Sequence, residues 1–194
     1  MNLPNRLTIA RLVLTALFVG VMAVDFPLRA TVGLLVFAVA SITDYLDGAI
    51  ARKRGLVTTF GKLVDPLADK VLMGAAFVIL VDLQLVAAWL VILILAREFL
   101  VTGLRLVASA EGAVLAADTL GKQKTILQIT AVIYFLVVLA SREPGPLAFL
   151  APVFEIRYLS AGVAGTVIMA LAALATVVSG LSYLIRNRRL MADA

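Results

Sequence analysis

Four aspartates in the first half of the chain are spaced as if to share a cation. Asp44 and Asp47 stand three residues apart and Asp65 and Asp69 four apart, so on helices each pair lies along one face. The segment between the pairs is short enough to let the two faces meet. Carboxylates converging in a partly apolar site repel one another by roughly 4 kcal/mol per pair at 4 Å and an effective dielectric near 20, and only a cation relieves that. The chain contains no histidine and no cysteine, which excludes thiolate nucleophiles, imidazole bases, disulfides and Cys/His zinc sites. The ligand set is therefore all oxygen. It suits a hard divalent ion such as Mg²⁺, Mn²⁺ or Ca²⁺, and Mg²⁺ commonly completes its shell with substrate phosphate. Any proton transfer falls to a carboxylate, a lysine or a tyrosine. Plain interfacial salt bridges to Arg52, Lys62 or Lys70 are the alternative, and the cost of such groups inside a membrane weighs against it.

The elements that must hold these residues are apolar helices. Of 194 residues 63% are hydrophobic, well above the roughly half found in soluble domains, and mean hydropathy is +1.09. Apolar runs long enough for a bilayer recur at about Leu7 to Val24, Leu28 to Ile50, Asp65 to Val81, Val86 to Ser109, Thr125 to Ala140 and Leu159 to Ile185. The expectation is an all-α, polytopic bundle of six transmembrane helices, a single domain over 1–194 without internal repeats. Breaks fall at Asp25-Phe26-Pro27, the basic loop from Arg52 to Lys62, a turn near Asp82, the polar loop Glu111 to Lys124, and the Pro/Gly-rich stretch Glu143 to Pro152. Arg6 and Arg11 before an apolar run imitate a signal peptide, but no small-x-small cleavage site follows.

Six spans put both termini on one side. That side carries Arg6, Arg11, Arg52, Lys53, Arg54, Lys62, Lys122, Lys124, Arg186, Arg188 and Arg189, and the other keeps Arg29, Arg142 and Arg157. The asymmetry places the termini and the Arg52 to Lys62 loop in the cytoplasm. It also explains the net charge of +5 without nucleic acid. Trp89, Tyr158 and Tyr183 read as aromatics at the membrane interface.

Read together, Asp44 to Asp69 spell D-x2-D-G-x2-A-R-x8-G-x3-D-x3-D, filled by Asp44, Asp47, Gly48, Ala51, Arg52, Gly61, Asp65 and Asp69. This resembles the signature of the CDP-alcohol phosphatidyltransferases. Eight fixed positions over 26 residues make the match specific. The resemblance implies the six-helix CDP-alcohol phosphotransferase fold, usually a homodimer, with two ions, Mg²⁺ or Mn²⁺, on the cytoplasmic side of a cell (inner) membrane. By that resemblance Asp44, Asp47 and Asp65 hold the metals, and Asp69, in the same metal site, is the catalytic general base. Asp47, Gly48, Ala51, Arg52 and Gly61 would meet the cytidine diphosphate, with Arg52 on its phosphates. The opening Asn2-Leu3-Pro4-Asn5-Arg6-Leu7-Thr8 is similar to the family's start, where Asn5 and Thr8 approach the nucleotide. Either residue could equally be a helix cap.

The acceptor must be read elsewhere. Arg97, Glu98 and Arg105 fall within the fourth span, where charge is tolerated only toward a cavity or a partner, and Lys122 and Lys124 precede the fifth. Such cations suit an anionic acceptor, arginine as a planar fork and lysine as a point charge. The plainer alternatives are an Arg97–Glu98 pair and loop lysines. The segments Ala96-Arg97-Glu98-Phe99, Thr102-Gly103-Leu104-Arg105 and Gly121-Lys122-Gln123-Lys124-Thr125 resemble the family's glycerol 3-phosphate branch. That resemblance implies CDP-diacylglycerol as donor, with Arg97, Arg105, Lys122 and Lys124 on the acceptor phosphate, and phosphatidylglycerol phosphate and CMP as products. The residues from Ser141 to Ala194 add a final span and a basic tail with nothing catalytic among them. The rivals are another acceptor (inositol phosphate, serine, or phosphatidylglycerol as in cardiolipin synthesis), a cation transporter, which predicts acids spread through the membrane depth, and a non-catalytic metal scaffold.

Overall fold

The computed structural model describes residues 3–54, 59–110 and 119–187; side chains within them are described except at 3–8, 44–54, 59–69, 109–110, 119–120 and 158. Six long helices account for most of it: α1 (Leu3–Ala23), α2 (Arg29–Arg54), α3 (Thr59–Asp82), α4 (Ala88–Ala110), α5 (Thr119–Ser141) and α7 (Thr166–Arg186), with the short α6 (Ala151–Glu155) before the last. No strand occurs among the described residues. The elements follow the apolar runs, and their boundaries follow local chemistry.

The α3–α4 turn shows how. Leu85 N–H donates to Leu80 O and Gln84 N–H to Val81 O, the paired bonds that close a helix around a left-handed residue. Gln84 supplies it with φ 58°. α2 is capped from a distance: the Glu143 carboxylate accepts from the backbone N–H of Ala30 (2.6 Å) and Thr31 (2.9 Å) and from Thr31 Oγ1 (2.7 Å). A carboxylate there satisfies orphan donors and meets the positive end of the helix dipole. α5 begins earlier than expected, at Thr119, so Lys122 and Lys124 belong to a helix and not to a loop. Gly121 does not break it, since lysine and glutamine are good helix formers. The Pro/Gly-rich stretch is also not wholly irregular, because Pro152 sits in the first turn of α6, where its missing N–H costs nothing.

α1, α2 and α3 pack on one another, α7 lies against α4 and α5, and α2–α5 and α3–α4 contacts join the two groups. The core between them holds Phe18 and Phe37, with ring centroids 5.7 Å apart, and Phe77, Ile94, Val132, Phe135 and Met169, all buried. α7 starts through a π-turn over Ala161–Gly165. There Gly165 lets the Phe135 ring come so close that a Cβ would lie 2.6 Å from it. The outward faces are apolar too: Val13, Leu35, Val78, Ile92, Ile126, Leu174 and Ile185 are each more than half exposed. Helices apolar all round suit a lipid surround. Gly121–Ser141 and Ala161–Arg186 are long and apolar enough to cross a membrane by length and composition alone.

Candidate active site

The motif aspartates lie on helices, as their spacing requires, although their side chains fall outside the described ones. Asp44 is ten residues before the end of α2 and Asp69 ten residues after the start of α3. Asp47 and Asp65 are seven and six residues from the same ends. At 1.5 Å per residue the four occupy two levels, about 10 Å and about 15 Å along each helix from the four-residue connection. α2 and α3 are in contact. Matched levels on touching helices, with carboxylate donors only, fit an oxygen-ligated divalent ion. Gly48, Ala51, Arg52 and Gly61, with Asn5 and Thr8 on α1, likewise lie outside the described side chains.

The acceptor-side residues are described, and three of them form one network. Glu98 on α4 receives Arg97 Nη1 at 3.2 Å and Lys124 Nζ from α5 in a close ion pair. These side chains are only 11%, 13% and 7% exposed for Arg97, Glu98 and Lys124. The Arg97–Glu98 pair foreseen as a structural alternative therefore exists, and it includes Lys124. Lys70, next to Asp69 on α3, is within electrostatic reach of Glu98 and Lys124. Among the described residues, two cations thus pair with a single carboxylate, Glu98. Arg97 keeps spare donors, since its buried Nε has no partner among the described residues.

Arg105 lies apart from this network, on the next turns of α4. Its Nε donates to Tyr183 Oη at 3.4 Å, and its guanidinium carbon is 5.2 Å from the Tyr183 ring centre, a cation–π distance. Lys122 is exposed and makes no ion pair or hydrogen bond among the described residues, so the structure does not bring it to Glu98.

The final span was expected to hold nothing catalytic, and α7 supplies hydrogen-bond partners to this region. Ser179 Oγ accepts from Arg97 Nη2 at 2.8 Å, and Thr176 Oγ1 accepts from Gln128 Nε2 at 2.9 Å. Tyr183 is buried, and its ring and hydroxyl are taken up by Arg105. Trp89 is exposed, and the Tyr158 side chain lies outside the described ones. The missed signal was the spacing of Thr176, Ser179, Gly180 and Tyr183, which puts four small or polar residues on one face of an apolar helix.

Residues 1–178 match the family model of CDP-alcohol phosphatidyltransferase. The chain is 49% identical over 143 residues to the CDP-diacylglycerol--glycerol-3-phosphate 3-phosphatidyltransferase of Bacillus subtilis (strain 168), which spans 68% of this chain and 74% of the relative. It is 41% identical over 182 residues to the protein of the same name from Rickettsia bellii (strain RML369-C), spanning 94% and 93%. A cardiolipin synthase (CMP-forming) of Oryza sativa subsp. japonica is 34% identical over 181 residues, 84% of this chain and 54% of the relative. The chain belongs to the CDP-alcohol phosphatidyltransferase family, as the eight-position motif implied.

Proposed function

We propose that this membrane protein transfers the phosphatidyl group of CDP-diacylglycerol to glycerol 3-phosphate, releasing CMP and phosphatidylglycerol phosphate. Family membership supports the donor, and the names of the Bacillus and Rickettsia relatives support the acceptor. The observation on this chain that supports the acceptor is the pairing of two buried cations, Arg97 and Lys124, with the one carboxylate of Glu98 among the described residues. Burying such a surplus is costly unless an anion completes it. A neutral alcohol would leave it uncompensated.

Asp44, Asp47, Asp65 and Asp69 hold the metal, Mg²⁺ or Mn²⁺ and by family resemblance two ions. When bound, the metal neutralises charge on the diphosphate and on departing CMP. Asp69 accepts the proton of the attacking glycerol hydroxyl. That oxygen forms the new bond to the diacylglycerol-bearing phosphorus, the bond to the CMP oxygen breaks, and CMP leaves with the electron pair. Asp47, Gly48, Ala51 and Arg52 contact the cytidine diphosphate, with Arg52 on its phosphates and Gly61 leaving room for the nucleotide, which Asn5 and Thr8 approach. Arg97, Arg105 and Lys124 orient the acceptor phosphate, and Lys122 draws it in from solution. Such a displacement depends mainly on position and electrostatics.

The six long helices each span the bilayer of a cell (inner) membrane as one domain over 1–194, and the protein works as a homodimer. Basic residues concentrated at one end set the termini and the site on the cytoplasmic side. The test is CMP release from CDP-diacylglycerol by the purified chain in detergent with Mg²⁺, offering glycerol 3-phosphate, inositol phosphate, serine or phosphatidylglycerol singly. Release with glycerol 3-phosphate alone is expected. Release only with phosphatidylglycerol would transfer the chain to the reaction named for its Oryza relative and overturn the acceptor assignment.

A further inference from the structure

Thr176, Ser179, Gly180 and Tyr183 are all buried on α7, and each is engaged by a residue of α4 or α5. Arg97 is held twice. Its Nη2 donates to Ser179 Oγ at 2.8 Å, and its stem runs so close over Gly180 that a Cβ there would lie 2.7 Å from Arg97 Cγ and 3.3 Å from Nε. Only glycine leaves that passage open. Arg105 is held by the hydroxyl and the ring face of Tyr183. A guanidinium is a rigid fork, so fixing its plane fixes the direction in which its remaining donors point.

We propose that α7 is the positioning element of the acceptor site: Ser179 and Gly180 set the guanidinium of Arg97 and Tyr183 sets that of Arg105, so that residues not touching either substrate determine the KM for the anionic acceptor. The inference rests on the reading that these two arginines meet the acceptor phosphate. α7 packs on α4 and α5, whereas the donor motif lies on α2 and α3. A disturbance on the inner face of α7 therefore reaches the acceptor cations first.

The experiment is steady-state CMP release by the full-length chain in detergent, varying glycerol 3-phosphate and CDP-diacylglycerol separately. Ser179→Ala and Gly180→Ala are expected to raise the glycerol 3-phosphate KM about tenfold, the scale of one lost charged hydrogen bond, with the donor KM within about twofold. Tyr183→Phe, which keeps the ring, is expected to raise it less than Tyr183→Leu. Met169→Val, a core change on the same helix, serves as the comparison: a lower thermal midpoint with an unchanged KM ratio separates stability from positioning. If Gly180→Ala does not fold, Ser179→Ala still decides, because it removes only a hydroxyl. Equal rises in both KM values, or no rise in either, would overturn this inference while leaving the function intact. An unmutated chain without glycerol 3-phosphate-dependent release overturns the function, and this inference falls with it.

Discussion

Replacing Glu98 with glutamine removes the one negative charge between Arg97 and Lys124 and keeps nearly the same shape. Lys124 then loses its only partner among the described residues, while Arg97 keeps Ser179. All three side chains are nearly buried, so solvent screens little of the change. Breaking a buried pair by removing one partner costs about 3–5 kcal/mol. The amide oxygen can still accept one bond, which sets the expectation near the lower end, about 3 kcal/mol. For a chain of this size that corresponds to a fall of about 6–12 °C in thermal midpoint. An anion that binds the stranded cations restores part of it, because a ligand that favours the folded form adds stability with its concentration. Thermal unfolding in detergent, with and without glycerol 3-phosphate, therefore shows a larger ligand-induced rise in Glu98→Gln than in the unmutated chain. An unchanged midpoint, or an equal rise in both proteins, would refute the view that Glu98 restrains a surplus of acceptor-binding charge.

Further outcomes are expected. Asp69→Asn lowers CMP release at least about a hundredfold, the usual scale for a general base, while bound metal measured by elemental analysis persists; unchanged turnover removes Asp69 from that role. Glu143→Ala frees the donors at Ala30 and Thr31 and costs about 1–2 kcal/mol, seen as a lower thermal midpoint at unchanged KM for both substrates. Gly165→Ala drives a methyl into the Phe135 ring and costs about 1–3 kcal/mol; equal stability would mean that the π-turn shifts freely. Chelation with EDTA abolishes CMP release and added Mg²⁺ or Mn²⁺ restores it, and release that survives chelation contradicts the all-oxygen metal site.

Much of this was legible in the sequence because the constraints were local. Apolar runs of bilayer length gave the six long helices, and the aspartate motif restricts residue type at each of its positions. What was misread depended on contacts distant in sequence. Lys124 was placed at the end of a loop because nothing near it reveals that α5 starts before it or that it turns inward to Glu98, 26 residues away. Tyr183 looked interfacial, since tyrosine near the end of an apolar span usually is, and only the fold brings Arg105 to it. Glu143 sat in a stretch read as a break, yet it caps a helix 112 residues upstream. Lys70 was weighed only as a counter-ion for the aspartates, whereas the packing of α3 beside α4 brings it within electrostatic reach of Glu98.

The most direct test of the central claim is to follow both products at once, using radiolabelled glycerol 3-phosphate with CDP-diacylglycerol and purified protein. Direct displacement predicts label entering the lipid phase in a one-to-one ratio with CMP released, only with a divalent metal, and not with Asp69→Asn. CMP released without label in the lipid, or label transferred without a metal, would contradict it.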